Sequence, residues 1–245
     1  MTDFYLYQII HICEGQARFA KGHIAVMQEA VNRLYARPRK LPTQQWIKRL
    51  TQTIEQINAP HDTSSFIRME LHPNFELRLV DMGVSLYKGY DLRSIHPNAQ
   101  TLVYELPEGH ICSSTQQLAA KLADLVAQRE GYDVALQCDR YGQCQSCAGS
   151  PIMALKHNRI IAPPHPQHIE RFIAMSAIKS LGMDYEERNF REDEIPSFEE
   201  LFWIDHRGIT SLAHCNGVPF LSFAAERIAH KMEELFCSTH PLKRK

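Results

Sequence analysis

Chemistry in this chain has to come from a few short constellations. The first is Asp205-His206-Arg207-Gly208-Ile209-Thr210, where a carboxylate, an imidazole and a guanidinium stand side by side ahead of a glycine. His206 in that company is a candidate general base, and Arg207, Gly208 and Thr210 can hold a small anion. The second is Cys144-Gln145-Ser146-Cys147, a C-x-x-C pair. Zinc would need two further ligands, and no second C-x-x-C exists. Strand alternation puts Cys144 and Ser146 on one face and Cys147 on the other, which disfavours a shared metal or a disulfide. Most of the 13 histidines stand alone, and the chain contains no H-E-x-x-H, P-loop or G-x-S-x-G pattern. The run Lys88-Gly89-Tyr90-Asp91-Leu92-Arg93 mixes aromatic, acidic and basic groups and reads as a surface loop that could face a cleft.

The elements that must position these groups follow from periodicity. Phe4–Cys13 reads as a strand, Gln16–Tyr35 as a helix, and Thr43 as the cap of a second helix that runs to Asn58. Ser65–Leu71 and Phe75–Val80 form a hairpin, and Ala99–Leu106 is a further strand. Ser113 or Ser114 caps a helix over Thr115–Arg129 whose buried face is Leu118, Leu122, Leu125 and Val126. From Gly131 onward, short apolar runs separated by Gly- or Asn-bearing turns read as consecutive antiparallel strands, which Pro163-Pro164 brings to a stop. A helix follows over Ile169–Ser180, then a strand at Tyr185–Phe190, the apolar run Leu201–Ile204, and a hairpin at Asn216-Gly217. Ser222–Cys237 reads as a closing helix.

The order and spacing of Gly131–Gly142, Ile160–Pro164, Arg171, Leu181–Glu186, Glu199–Phe202 and Gly208–Phe220 resemble the large domain of the class IV aminotransferases. That pyridoxal-phosphate family includes branched-chain and D-amino-acid aminotransferases and aminodeoxychorismate lyases. The resemblance implies an α/β fold of two domains: a small N-terminal α+β domain over residues 1–107, a linker at 108–111, and a larger β-rich domain with flanking helices over 112–245. It also implies a homodimer. The family's Schiff-base lysine lies roughly twenty residues before the aspartate matched by Asp133, at the start of a helix. That position is Ser113. The carboxylate that keeps the pyridine nitrogen protonated is matched by Ser146. The resemblance assigns the phosphate to the helix start at Ile169, Glu170 and Arg171, to the loop carrying Arg207, Gly208 and Thr210, and to Arg33. Glu170 would put negative charge beside a phosphate.

Three readings follow. In the first, the chain is a divergent member without the expected lysine. It is then not a standard pyridoxal-phosphate enzyme, and it binds a small anionic ligand in the interdomain cleft. In the second, it is an active aminotransferase or aminodeoxychorismate lyase whose lysine is displaced to Lys88 or Lys121. In the third, it is a non-catalytic dimerising scaffold. A formal net charge of -1 suggests no nucleic-acid or anionic-membrane partner, and no metal site is expected. The N-terminus lacks the pattern of a secretory signal, and the seven scattered cysteines suit a reducing cytoplasm. The C-terminal Lys243-Arg244-Lys245 reads as a solvated tail.

Overall fold

The computed structural model describes residues 4–58, 61–164 and 168–236. The basic tail Lys243–Lys245 and Cys237 therefore lie outside the described residues. The fold is mixed α/β. The chain divides into two compact units that are not contiguous in sequence: residues 1–88, 106–119 and 166–169 form one, and 89–105, 120–165 and 170–245 the other. Residues 108–111, read as a linker, cluster with the first unit.

The first unit is a four-stranded antiparallel sheet ordered β2 (Gln16–Ala17), β1 (Leu6–Cys13), β3 (Ser65–Leu71), β4 (Leu77–Val84). Glu14 and Gly15 both adopt positive φ, so the chain turns tightly and Gln16–Ala17 pairs back on Ile12 and Cys13. The first helix therefore begins at Ala20 and not at Gln16: α1 spans Ala20–Leu34. Helix α2 covers Thr43–Gln56, with Pro42 at the cap position expected of Thr43. Leu6, Ile10, Ile67 and Met69 of the sheet pack with Ile24, Met27 and Val31 of α1 and with Trp46 and Leu50 of α2. Strand β3 is buried along almost its whole length, so its alternation does not mark a wet face.

The second unit holds an eleven-stranded sheet among the described residues. Its main path runs β15 (Val218–Pro219), β14 (His214–Cys215), β6 (Asn98–Val103), β7 (Val134–Cys138), β8 (Cys144–Cys147), β9 (Ser150–Lys156), β12 (Glu200–Asp205), β13 (Gly208–Ser211), β5 (Asp91–Leu92). Strands β10 (Arg159–Ala162) and β11 (Asp184–Glu187) extend from β9. Asn216 and Gly217 take positive φ and join β14 to β15, as the Asn-Gly signal requires. The stretch read as a surface loop is part of this sheet: β5 pairs with β13, and Tyr90 before it is buried.

Two expected faces are corrected. Helix α3 (Ser114–Arg129) buries Ala120, Ala123 and Ala127, whereas Leu118, Leu122 and Leu125 are each 62% exposed. Alanine's small volume lets the helix lie close to Ala135 of β7, and this turns the leucines outward. The alternation in β8 also fails. A register shift after Gln137 sets Cys144 opposite Cys138, while Cys147 faces Leu136. Cys138, Cys144, Cys147 and Cys215 thus share one core, and Ser146 points the other way.

Helix α5 (Phe223–Phe236) is anchored by a buried acid. Glu200 accepts hydrogen bonds from Ala224 N at 2.7 Å and Ala225 N at 2.9 Å, satisfying the open N–H groups of the helix start. At the start of β13, Gly208 has φ +119°, and an added Cβ would stand 2.2 Å from Asp91 O. Only glycine allows β5 to approach there. Gly208→Ala is expected to lower stability by about 2 kcal/mol or more, read as a fall in thermal midpoint. Gly131→Ala, where nothing lies within 4 Å of the added Cβ, should cost less.

Candidate functional site

The hairpin between β12 and β13 closes on Asp205 and Gly208, with His206 and Arg207 at its tip. Asp205 is 4% exposed and is held by its neighbour. Arg207 N donates to Oδ1 at 2.8 Å, Nε lies 3.2 Å from both carboxylate oxygens, and Nη2 donates to Oδ2. Burial alone would raise this carboxyl, but the charges of His206 and Arg207 and Arg207's hydrogen bonds outweigh it and hold Asp205 well below the usual carboxylate range. His206 is pushed down to about 4, first by burial and then by the charges of Arg207 and Arg93, against Asp205's opposing pull. It is therefore neutral and weakly basic at pH 7, so the durable partner of Asp205 is Arg207. Thr210 is fully buried and accepts a hydrogen bond from Arg93 Nη1 at 3.2 Å.

Helix α4 (Ile169–Ser180) supplies the other half of the expected anion site. Glu170, in its first turn, is 4% exposed, and burial raises its carboxyl to about 8, with Asp205 adding to the rise. Arg171 is spent on β11: its Nη2 donates to Tyr185 Oη at 2.6 Å and to Glu187 Oε2 at 2.8 Å. Ile169 packs in the first unit, where a Cβ on Gly22 would come 2.9 Å from its Cδ1. Glu170, Asp205, His206, Arg207, Gly208 and Thr210 all belong to the second unit, whereas Arg33, Ser113 and Ile169 belong to the first.

Ser113 sits where the sequence places it, at the start of a helix. Its Oγ accepts from Gln116 N at 3.2 Å, its backbone bridges to Leu6, and its side chain is buried. Ser146 is buried and donates to Gln137 Oε1 at 2.7 Å. Arg33 forms an exposed ion pair with Glu108 at 2.7 Å. Lys88 pairs with Glu14 at 2.8 Å, and Lys121 lies on the solvent side of α3.

The second unit also contains a pocket of about 510 Å³, lined among others by Arg93, Ile95, His96, Asp133, Trp203 and Arg207. Trp203 is 2% exposed, and its Nε1 is buried without a hydrogen-bond partner, an arrangement that costs about 1–3 kcal/mol when it is left unmade. Arg207 links this pocket to the hairpin. Sequence reasoning named Arg93 only as the last residue of the mixed run Lys88–Arg93 that could face a cleft, and it missed Trp203. Arg93 sits in a segment read as loop, and Trp203 in an apolar run that reads as core. The usable signal was the run Lys88–Arg93 itself, which mixes charged and aromatic groups.

No protein-family profile matches the chain, and no curated protein sequence matches it. Solved structures do. The chain is similar to the branched-chain amino acid aminotransferase of Escherichia coli, at TM-score 0.79 and 15% identity over 100% of this chain and 88% of that one. It is similar to a fold IV transaminase of Curtobacterium pusillum, at 0.76 and 15% over 91% and 83%. It is also similar to a candidate 4-amino-4-deoxychorismate lyase of Legionella pneumophila, at 0.75 and 16% over 94% and 89%. At these identities the likeness is one of fold.

The titrating groups give a signed expectation. Glu170's folded value of about 8 lies above its ordinary 4.5, so its contribution is full below 4.5 and is lost as pH rises toward 8. His206's folded value of about 4 lies below its ordinary 6.5, so it opposes Glu170 up to 6.5 and not beyond. Between pH 6.5 and 8 the wild type should therefore lose about 2 kcal/mol, while Glu170→Gln should stay flat. Denaturant midpoints at the two pH values check this.

Proposed function

We propose that this chain, a protein of the class IV aminotransferase fold, uses that fold for binding and not for pyridoxal-phosphate Schiff-base chemistry. Ser113 carries the reading. The residue at the expected lysine position is a hydroxyl committed to capping α3, and its segment is bonded along β1, with Tyr7 N donating to Cys112 O at 3.0 Å and Ser114 N to Tyr5 O at 2.9 Å. Two observations count against the candidate substitutes: Lys88 is paired with Glu14, and Lys121 is exposed.

The cofactor's other requirements are unmet by the residues present. A helix start that holds phosphate offers N–H groups and positive potential. Here the first turn carries Glu170, and buried, ionised Asp205 is close enough to act on it. Arg171 and Arg33 are both engaged by glutamates. Ser146 cannot keep a pyridine nitrogen protonated as a carboxylate would. Arg207 and the nearby Arg93 still bring positive charge to the hairpin, and the ligand class we propose for it is a small anion.

A second reading, self-association, has its own observation. Leu118, Leu122 and Leu125 recur at helical spacing and face outward from α3, whose inner face is alanine. The partner we propose is a second copy of this chain. The same reading sets the protein in a reducing cytoplasm, where Cys138 and Cys144 stay free thiols with sulfurs 3.7 Å apart. Among the described residues, no helix is long and apolar enough to cross a membrane.

Two measurements test these readings. Incubation with pyridoxal phosphate, borohydride reduction and intact-mass measurement should give no stoichiometric lysine adduct. One equivalent on Lys88 or Lys121 would restore the enzyme reading. Light scattering should report a dimer for the wild type and a monomer for Leu122→Glu, whereas a wild-type monomer would remove the self-association proposal.

A further inference from the structure

We infer that a pocket of the first unit binds a small dicarboxylic acid. The guanidinium of Arg39 takes one carboxylate and the ammonium of Lys40 the other. The site belongs to the first unit alone and is separate from the anion proposed for the hairpin of the second.

Charge is segregated along this chain. Residues 30–54 contain six lysines and arginines and no aspartate or glutamate, in a protein of net charge -1. Within that region α1 and the loop leading into α2 enclose a pocket of about 420 Å³, a size that suits a small molecule. Ile24, Ala25, Pro38 and Leu41 give it an apolar lining, Arg39 and Lys40 bring two positive charges, and no acid lines it. Among the described residues neither cationic side chain makes an ion pair or a hydrogen bond. Arg39 instead lies over the ring of Phe75, with its Cζ 4.8 Å from the ring centroid. A ring contact engages the cation through its charge and uses none of its five N–H donors, which can take a carboxylate in two parallel bonds. Two devices hold the arrangement. Gln28 pins the loop, its Nε2 donating to Arg39 O at 3.0 Å and its Oε1 accepting from Leu41 N at 2.7 Å. Phe75 stands at φ +66°, uncommon for a bulky residue, in a turn where its N donates to His72 O at 2.8 Å. Two neighbouring cations beside an apolar lining call for two anionic heads joined by a short hydrocarbon. A phosphate has no hydrocarbon to cover Ile24 and Pro38, and a monocarboxylate leaves one cation unmatched.

Backbone amide shifts in ¹⁵N-NMR of the full chain, followed during titration with glutarate, butyrate and orthophosphate, test the site. Glutarate should move Gln28, Lys40 and Thr43, which line the pocket, and leave Arg207 and Thr210 in place. Arg39→Gln and Lys40→Gln should each weaken glutarate about tenfold, the loss expected when one charge-assisted contact goes. Arg39→Lys keeps the charge, loses the fork and should weaken it severalfold. Both positions are exposed, and an unchanged spectrum outside the pocket reports that each variant is folded. Lys48→Gln removes the same charge from the same acid-free region but lies outside the pocket lining, so screening should hold its effect below about twofold. An equal loss in Lys48→Gln and Arg39→Gln would reduce the site to a general positive field and overturn it. Butyrate binding as tightly as glutarate would overturn the pairing of two carboxylates with two cations. Orthophosphate binding as tightly would overturn the ligand class. Shifts confined to the hairpin at Arg207 would overturn the location, and an unmoved spectrum at millimolar glutarate would overturn the pocket.

Discussion

The ion pair between Asp205 and Arg207 sets what this end of the second unit can do. A carboxylate with 4% exposure stays ionised because the charges of His206 and Arg207, and Arg207's hydrogen bonds from side chain and backbone, outweigh the effect of burial. That grip fixes the hairpin tip, consumes most of Arg207's capacity and leaves a negative charge inside. Glu170, raised first by its own burial and further by Asp205, stays protonated near neutral pH. A helix start and a hairpin that could together have cradled a dianion instead contain two acids and one committed arginine. Removing Arg207 would leave the buried charge of Asp205 without its ion pair, so the pair also constrains what substitution this end of the unit tolerates.

The scaffold supports that arrangement through close approaches. Gly208 lets β5 run against β13, which delivers Arg93 to Thr210 beside the hairpin. Glu200, earlier on the same strand as Asp205, caps α5 through two backbone N–H groups. Glu233 of α5 in turn accepts from Tyr90 N at 2.7 Å, just before β5. Strand, helix and edge strand are thus tied by acids bonded to main-chain donors, and the position of Arg93 follows from those ties.

Much of the fold could be read from sequence because it depends on local signals. The Asn216-Gly217 turn, the Pro163-Pro164 stop and the order of short apolar runs are properties of neighbouring residues, and they suffice to place the strands. What sequence could not give depends on distant partners. The leucines of α3 look like a buried face until Ala135 shows which side lies against the sheet. The β8 alternation breaks at a bulge that no residue type announces. Of the site, Ser113, Ser146, Glu170 and the Asp205–Thr210 loop were legible by position, because they fall within ordered motifs. Trp203 was not, and Arg93 only as part of a mixed run, because a pocket is assembled from segments more than a hundred residues apart in the chain.

Phosphorus-31 NMR of pyridoxal phosphate in the presence of the protein tests the central claim most directly, because it reports on the phosphate group alone. With Glu170 and Asp205 filling the anion end, the resonance should keep the width and position of the free compound. A broadened or shifted line with the wild type that returns to the free value with Arg207→Gln would mean that the phosphate is held at this hairpin after all.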